Sequence, residues 1–241
     1  MSNPFTGLFR KTKWYREMKK QESVRAEILK GMVFNSTICD SPWLKYKSFS
    51  PGEWAADYGL LYTLYRALGS MKPRSIAEFG LGQSSKIVHQ YAAYYQAEAT
   101  TYEHDAQWLQ FFNEGRDGAY EVKVELVDLE TIRYKGFDTL TYKNIGQVMA
   151  GKVFDFVLVD GPFGSDRYSR PEILELIAGG HLAPRFCIIM DDTDRPCEME
   201  TAQEALALLK ERGIYCCSTT CKASKHHTLI CSADLKFLTT L

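Results

Sequence analysis

The stretch from Ser75 to Ser85, which reads Ser-Ile-Ala-Glu-Phe-Gly-Leu-Gly-Gln-Ser-Ser, constrains the fold more than any other part of the chain. A short apolar run carries the acid Glu78, and the glycines Gly80 and Gly82 follow it. Two serines and an amphipathic segment come next, so the pattern predicts a strand, a tight turn and a helix start. Glycine lets a ligand approach bare backbone, and a helix N-terminus supplies unpaired N–H groups. The stretch therefore predicts a site for a nucleotide-like ligand.

Length and composition favour a soluble α/β protein. The 241 residues suit one α/β domain with an N-terminal extension, or at most two small domains, and 45% of them are hydrophobic. A net charge of −1 provides no strong positive field, which argues against nucleic acid as a partner. The basic segment at 10–20 is typical of a solvated helix face. Since no apolar run approaches a membrane span and no secretory signal is visible, we expect a cytoplasmic protein without membrane contact.

The seven cysteines favour a reducing compartment, because they are odd in number and scattered. Zinc is the alternative for the cysteines that lie near His226 and His227. Cys217 and Cys221 are predicted on one strand, where residues four apart are separated by about 13 Å. Such a pair could not share one tetrahedral ion, so buried thiols are the better interpretation. The cysteines concerned are Cys216, Cys217, Cys221 and Cys231.

Strands and helices are predicted to alternate after an N-terminal helical part. A helix is expected over about 12–30, a loop over 34–43, and a helix that begins at Ser50-Pro51-Gly52-Glu53 and runs to Leu68. A polar loop is expected to carry Tyr134, Phe137 and Tyr142. Further strands are predicted at 75–79, 100–103, 122–127, 153–159, 186–190, 214–221 and 227–232, with helices at 84–96, 105–114, 145–150, 171–181 and 198–212.

This alternation predicts a doubly wound, mostly parallel sheet. The last two strands have no helix between them, so the last strand is expected to be antiparallel, in a hairpin at or near one edge. The predicted organisation is an N-terminal helical extension over 1–72 and an α/β domain over 73–241.

A carboxylate ends each predicted buried strand, and in a parallel sheet these ends meet at one edge, where ligands bind. Glu103 follows Glu78 by 25 residues, close to the interval of about 20 at which an acid accepts hydrogen bonds from a ribose. Asp128 is then expected to reach the adenine side, and Glu78 to lie beneath the glycine turn. Acids also cap helices, but five successive strand ends favour a binding site. The carboxylates are Glu78, Glu103, Asp128, Asp160, and Asp191 with Asp192.

Over about 75–233 the chain resembles class I S-adenosylmethionine-dependent methyltransferases. Glu78-Phe79-Gly80-Leu81-Gly82 is similar to the acid-x-Gly-x-Gly loop of that family, and Glu103 matches its ribose-binding acid. The segment 154–162, Phe-Asp-Phe-Val-Leu-Val-Asp-Gly-Pro, is similar to its fourth-strand motif, whose terminal acid, here Asp160, lies near the methyl group. The resemblance implies a Rossmann-like methyltransferase fold. It also implies cofactor contacts from Glu78, Gly80, Gly82, Ser84, Glu103, Asp128 and Asp160.

Two departures from related patterns matter. Ser84 stands at the third glycine position of the motif, and the dinucleotide fingerprint would need glycine at Ser85. The only Tyr-x-x-x-Lys match, Tyr15 with Lys19, precedes the α/β region. Both points disfavour a nicotinamide-dependent oxidoreductase, which stays an alternative.

The carboxylates at the fourth and fifth strand ends resemble the magnesium site of catechol-type O-methyltransferases. That resemblance implies that Asp160, Asp191 and Asp192 hold Mg²⁺, although helix capping explains paired aspartates equally well. Phe163 stands where those enzymes have a lysine base, so the base is left between Asp160 and His104. Arg167 and Arg170 either bind an acidic or sugar-like acceptor group or are exposed to solvent.

The sequence therefore predicts an S-adenosylmethionine-dependent methyltransferase that acts on an oxygen of a small-molecule or glycan-like acceptor. A non-catalytic binding or scaffold protein with the same fold is the principal alternative. Packing of the aromatic N-terminal extension on a second copy would give a homo-oligomer.

Overall fold

The computed structural model describes residues 4–51, 54–115 and 120–241. Its helices are α1 (Pro4–Ile38), α2 (Tyr58–Met71), α3 (Gln83–Tyr95), α4 (Ala106–Glu114), α5 (Ile145–Val148), α6 (Glu172–Ala178) and α7 (Pro196–Glu211). A 3-10 helix follows at Ala233–Thr240. The strands are β1 (Ser75–Phe79), β2 (Glu98–Glu103), β3 (Val124–Leu126), β4 (Leu129–Tyr134), β5 (Phe137–Tyr142), β6 (Phe154–Val159), β7 (Leu182–Met190), β8 (Cys216–Lys222) and β9 (His226–Ser232).

Seven strands form one sheet in the order β3-β2-β1-β6-β7-β9-β8. The strands β3, β2, β1, β6 and β7 pair in parallel. The last strand, β9, runs antiparallel to both of its neighbours, β7 and β8. The predicted α/β fold, with a mostly parallel sheet and an antiparallel last strand, is confirmed. The reversed strand is inserted one place in from the edge, and β8 forms the edge itself.

Both faces of the sheet are buried, because successive side chains of the central strands point to opposite sides. Ile76, Phe156 and Leu158 pack on one side with α2 and α3. Ala77 and Val157 pack on the other side with α6 and α7. The helices on both faces thus leave the carboxyl edge of the sheet as the place where the strands β1, β2, β6 and β7 end side by side.

The segment predicted as a loop with Tyr134, Phe137 and Tyr142 is instead the antiparallel hairpin β4–β5. Lys135 and Gly136 connect its strands with φ angles of +47° and +86°, the backbone that a two-residue hairpin turn requires. The glycine beside two alternating runs was the signal for this turn. The hairpin is separate from the main sheet and leads the chain from β3 to α5.

The N-terminal helices also differ from the prediction. Helix α1 continues to Ile38, through residues predicted as loop, because Phe34 and Ile38 are buried against the body of the protein. Helix α2 begins at Tyr58 rather than at Ser50, since the Asp57 carboxylate caps it by accepting a hydrogen bond from the Leu60 N–H. Gly52 and Glu53 of the predicted start lie outside the described residues. No helix in the described ranges is both long enough and apolar enough to cross a membrane.

Candidate functional site

The two glycines of the turn between β1 and α3 have different roles: Gly80 permits a close backbone contact, and Gly82 leaves open space. Gly80 has a φ of +95°, and a Cβ atom there would lie 2.7 Å from the backbone oxygen of Asp160. Only glycine therefore lets the end of β1 approach the end of β6 so closely. Gly82 has extended backbone, and a Cβ there would meet no atom within 4 Å. The space beside Gly82 is therefore open to a ligand.

This turn forms one side of a cavity of about 400 Å³ at the carboxyl edge of the sheet. That volume lies in the usual range for small-molecule sites, roughly 300–1,000 Å³. The cavity brings together six residues that the sequence singled out: Gly80, Gly82, Glu103, His104, Asp160 and Asp192. It also has Arg170 and Arg195 in its wall, and the aromatic side chains Trp54, Trp108 and Phe163.

Glu103 is held in place by the backbone at the ends of β1 and β2. Its carboxylate accepts hydrogen bonds from the N–H groups of Leu81 (2.9 Å), His104 (2.7 Å) and Asp105 (2.9 Å). Oε1 accepts from His104 and Asp105, whereas Oε2 accepts from Leu81, so Oε2 keeps a second acceptor position for a ligand. Glu103 can therefore bind a ribose hydroxyl from a fixed position, and this fits the adenosyl group that the resemblance implies.

Glu78 and Ser84 lie beneath the turn and are not in the cavity wall. The Ser84 and Thr101 hydroxyls donate to the two Glu78 carboxylate oxygens at 2.7 and 2.6 Å. Burial raises the pKa of Glu78 to about 7, although these hydrogen bonds act in the opposite direction. Both residues therefore affect the cavity only by stabilising the turn above them. Glu78 lies beneath the glycine turn, as the sequence predicted.

Asp128 is not brought to this cavity, contrary to the expected adenine contact. It is exposed and borders a separate shallow depression with Lys143 and Gln147. The reason is the hairpin β4–β5, whose base is closed by a hydrogen bond from the Lys143 N–H to the Asp128 backbone oxygen. The chain therefore leaves the sheet edge before Asp128 can turn inward.

Like Glu78, the carboxyl groups of Asp160 and Asp191 at the ends of β6 and β7 have raised pKa values. Burial raises the pKa of Asp160 to about 6, against the lowering effect of Arg170. Asp191 is buried, and its carboxyl oxygens have no hydrogen-bond partner among the residues that the structure describes. Burial raises the pKa of Asp191 well above its ordinary value, and the charges of Asp160 and Asp192 add to this. Because Asp160 lines the cavity, it is the group at this end that can exchange a proton with a ligand.

Asp192 is surrounded by cations instead. Arg170 Nη2 lies 2.7 Å from one Asp192 oxygen, and Arg195 Nη1 lies 3.2 Å from the same atom. Lys225 Nζ, from the turn between β8 and β9, lies 3.4 Å from the other. Burial alone would raise the pKa of Asp192, but these three cations hold it below its ordinary value. The sequence analysis did not identify Lys225 as a partner of Asp192. It left open whether Arg170 binds an acceptor or is exposed, and the structure shows it buried beside Asp192.

The magnesium site implied by the sequence has suitable donors but not a suitable charge. Asp160, Asp191 and Asp192 offer oxygen atoms that all lie within 4.8 Å of one another, and oxygen is the ligand that Mg²⁺ prefers. However, Arg170, Arg195 and Lys225 already neutralise the cluster. At an effective dielectric constant of about 20, two unit charges 4 Å apart repel by about 4 kcal/mol, and a divalent ion doubles that figure. The residues present therefore do not fit a bound magnesium ion.

The remaining site predictions have clear positions. His104 Nδ1 lies 2.8 Å from Glu103 Oε1, and the ring packs edge-on against Phe163. Arg167 pairs with Glu200 at 2.7 Å and is not in the cavity wall. Within the described ranges, histidines and cysteines do not form a metal-binding group, and the seven cysteines are free thiols. Of the four cysteines predicted as buried thiols, Cys231 is buried, whereas Cys216, Cys217 and Cys221 are half-buried.

Comparison with known proteins supports the fold assignment. No protein-family model matches the chain, and no curated protein sequence matches it either. Among solved structures, it is similar to the SAH-bound methyltransferase PaMTH1 from Podospora anserina, with a TM-score of 0.51 and 14% identity over 93% of this chain and 96% of that one. It is also similar to a methyltransferase from Pyrococcus furiosus, with a TM-score of 0.49 and 14% identity over 88% and 98% of the two chains. The likeness to PaMTH1, together with the strand order, shows that the chain has a Rossmann-like methyltransferase fold.

Proposed function

We propose that the protein is an S-adenosylmethionine-dependent methyltransferase that transfers a methyl group to an oxygen of a small-molecule or sugar-like acceptor. The observation that carries this proposal is the shared cavity, in which Gly82, Glu103 and Asp160 line one space. When bound, the cofactor supplies a methyl group on a positively charged sulfur. The protein must align the acceptor with that methyl group and receive the acceptor's proton.

The glycine-turn end of the cavity suits an uncharged adenosyl group better than a dinucleotide. Gly82 offers open space, and Glu103 offers a hydrogen-bond acceptor there. The arginines of the cavity wall, Arg170 and Arg195, contact Asp192 instead. Neither arginine is therefore unpaired for a pyrophosphate, and Ser85 stands where the dinucleotide fingerprint has glycine, so this arrangement disfavours the nicotinamide alternative.

The adjoining part of the cavity wall, at the ends of β6 and β7, suits a hydroxyl acceptor. Asp160 ends β6 at the cavity wall, and its pKa of about 6 leaves it ionised and basic at neutral pH. A carboxylate in that state can accept the proton of a hydroxyl group during methyl transfer. Trp54 and Phe163 line the same cavity, and these residues are 79% and 63% exposed, so a ring can pack against them. These features support a catalytic role over a purely scaffolding one.

The direct test is a calorimetric titration of the chain with S-adenosylhomocysteine. We expect saturable binding by the wild-type chain, and at least a tenfold loss of affinity in Gly82→Val. The backbone of Gly82 is extended, a Cβ atom there meets nothing within 4 Å, and the new side chain would occupy space beside the cavity wall. Gly69→Val is the matched control, since a Cβ at Gly69 also meets nothing within 4 Å but lies on α2, outside the cavity wall.

Two results would contradict the proposal. Flat heats for the wild-type chain at millimolar ligand would remove the cofactor assignment. Equal affinity of Gly82→Val and wild type would show that the ligand binds elsewhere. Melting temperatures of both glycine variants should be measured, so that a binding loss is not mistaken for unfolding.

Location and assembly also belong to the proposal. We propose a cytoplasmic protein, for which the free thiols are the support. Self-association through α1 is supported by the exposed apolar side chains of Ile28, Leu29 and Met32, which are 58%, 63% and 66% accessible.

A further inference from the structure

We infer that the Arg170 guanidinium takes the place of a divalent cation among Asp160, Asp191 and Asp192, so that the acceptor end of the cavity works without a metal ion. The inference rests on the proposed function for its meaning in methyl transfer. The evidence for the inference does not depend on that function, because it consists of the contacts and charges of Arg170 and the three aspartates.

Arg170 joins the ends of β6 and β7 from within the protein. Its Nη1 donates to the Asp191 backbone oxygen at 3.2 Å and lies 3.5 Å from the Val159 backbone oxygen. Its Nη2 donates to the Asp192 carboxylate at 2.7 Å. The side chain is only 6% exposed, so these contacts replace its water shell. One planar cation thereby holds both strand ends together, as a bound metal ion would.

The backbone is shaped to bring Arg170 and Asp192 together. Both residues have a φ of +59°, a left-handed conformation that non-glycine residues seldom adopt. Such backbone strain persists where surrounding contacts compensate for it. The short Arg170–Asp192 ion pair is such a contact, which indicates that the pair is part of the built site.

Lys225 supplies a second cation that is tied to the chain on another side. Its Nζ donates to the Ala55 backbone oxygen at 3.0 Å and lies 3.4 Å from Asp192 Oδ1. Asp192 thus has a positively charged partner on each oxygen, and a further cation would have to displace one of them. The cluster consequently offers little attraction to a divalent ion.

The consequence concerns Asp160. Its carboxylate lies 3.7 Å from Arg170 Nη1, beyond a direct hydrogen bond, and it faces the cavity. Without a metal ion to ligate, this carboxylate is free to contact the acceptor hydroxyl. Arg170 is therefore a positioning residue. It acts by holding Asp191 and Asp192 at the end of β7 next to Asp160.

The experiment is a Mn²⁺ titration followed by electron paramagnetic resonance, with Mn²⁺ alone as the probe. We expect no stoichiometric binding by the wild-type chain up to about 1 mM, the affinity range of weak oxygen-ligand sites. Arg170→Ala should gain Mn²⁺ affinity by at least tenfold, because it uncovers the carboxylates. Adding Asp192→Asn to that variant should abolish the gain. Arg167→Ala removes an arginine of the same loop that pairs with Glu200, and should behave as wild type.

Micromolar Mn²⁺ binding by the wild-type chain that Asp192→Asn removes would overturn the inference. A folded Arg170→Ala chain without any gain would overturn it as well. If that variant does not fold, the wild-type titration decides alone. Methyl transfer by the wild-type chain should also be unchanged in EDTA, and a loss restored by Mg²⁺ would count against the inference. Failure of S-adenosylhomocysteine to bind would remove the proposed function but leave the Mn²⁺ result intact.

Discussion

The cavity wall has two adjoining parts that are built by different means: the glycine turn with the end of β2, called here the glycine-turn end, and the ends of β6 and β7, called the charged end. At the glycine-turn end, backbone determines the geometry: Gly80 permits a close contact with Asp160, and three N–H groups fix Glu103. At the other end, side-chain charges determine it, with Arg170 between buried aspartates. The first end is a shaped surface, and Glu78, which titrates beneath it, does not line the cavity. The second end can move a proton, so substitutions there should change chemistry and pH dependence more than cofactor binding.

The largest expected effect tests the charged end. Asp160→Asn removes the carboxylate that faces the acceptor, and general-base catalysis typically contributes about 10²–10⁴-fold to a rate. We expect turnover to fall by that amount, while S-adenosylhomocysteine affinity changes by less than about threefold, because binding depends on the glycine-turn end. Release of S-adenosylhomocysteine should be measured with a hydroxylated acceptor that the wild-type chain methylates.

The pH dependence of turnover by the wild-type chain further distinguishes the charged end from the glycine-turn end. Asp160 must be ionised to accept a proton, and its pKa lies at about 6. Turnover should therefore rise with pH, with a midpoint near that value, while cofactor affinity stays flat. An Asp160→Asn variant that keeps full turnover, or a profile without this rise, would place the base elsewhere.

The glycine-turn end was largely predictable from sequence, whereas the charged end was not. Gly80, Gly82 and Glu103 belong to short segments around strand ends, and the carboxyl edge of a parallel sheet brings such segments together. Arg170 and Lys225 reach Asp192 from a loop and from a hairpin turn that are distant in sequence. Their positions depend on how those segments pack, and no local pattern encodes that packing.

In the fold, too, features with a local sequence pattern were predictable, whereas features that depend on distant contacts were not. Strands and helices with strong periodicity were predicted well, and the sheet follows from their alternation. The hairpin β4–β5 was missed because its polar strands lie outside the main sheet, and this error also misplaced Asp128. The start of α2 was missed because its cap, Asp57, is selected by contacts with Ser224 and Lys225 as well as by the helix itself.

The next prediction concerns stability beneath the glycine turn. Burial raises the pKa of Glu78 from 4.5 to about 7, so the folded state retains this proton more tightly than the unfolded state. The stability from Glu78 is thus fully present below pH 4.5 and is lost as pH rises to about 7. A shift of this size corresponds to about 3 kcal/mol. Glu78→Gln stays neutral in both states, so it should gain stability relative to wild type by up to that amount.

Urea unfolding of both chains between pH 4.5 and 8 measures this difference. Other buried carboxyl groups titrate in both chains and cancel in the comparison. Glu98→Gln, at an exposed carboxylate, controls for the loss of one charge. A constant difference between Glu78→Gln and wild type across this range would show that Glu78 has no raised pKa in the folded chain.

The smallest expected effect is that of His104→Asn on turnover, and its size shows which end of the cavity holds the base. His104 belongs to the glycine-turn end, because it follows Glu103 and its Nδ1 lies 2.8 Å from the Glu103 carboxylate. If the base is at the charged end, His104→Asn removes only a packing and orienting contact, and turnover should fall by less than about tenfold, or 1.4 kcal/mol. Kinetics under the conditions used for Asp160→Asn give a direct comparison. A loss above a hundredfold in His104→Asn, with a milder loss in Asp160→Asn, would move proton transfer to the glycine-turn end, and the charged end would then serve only to hold the acceptor.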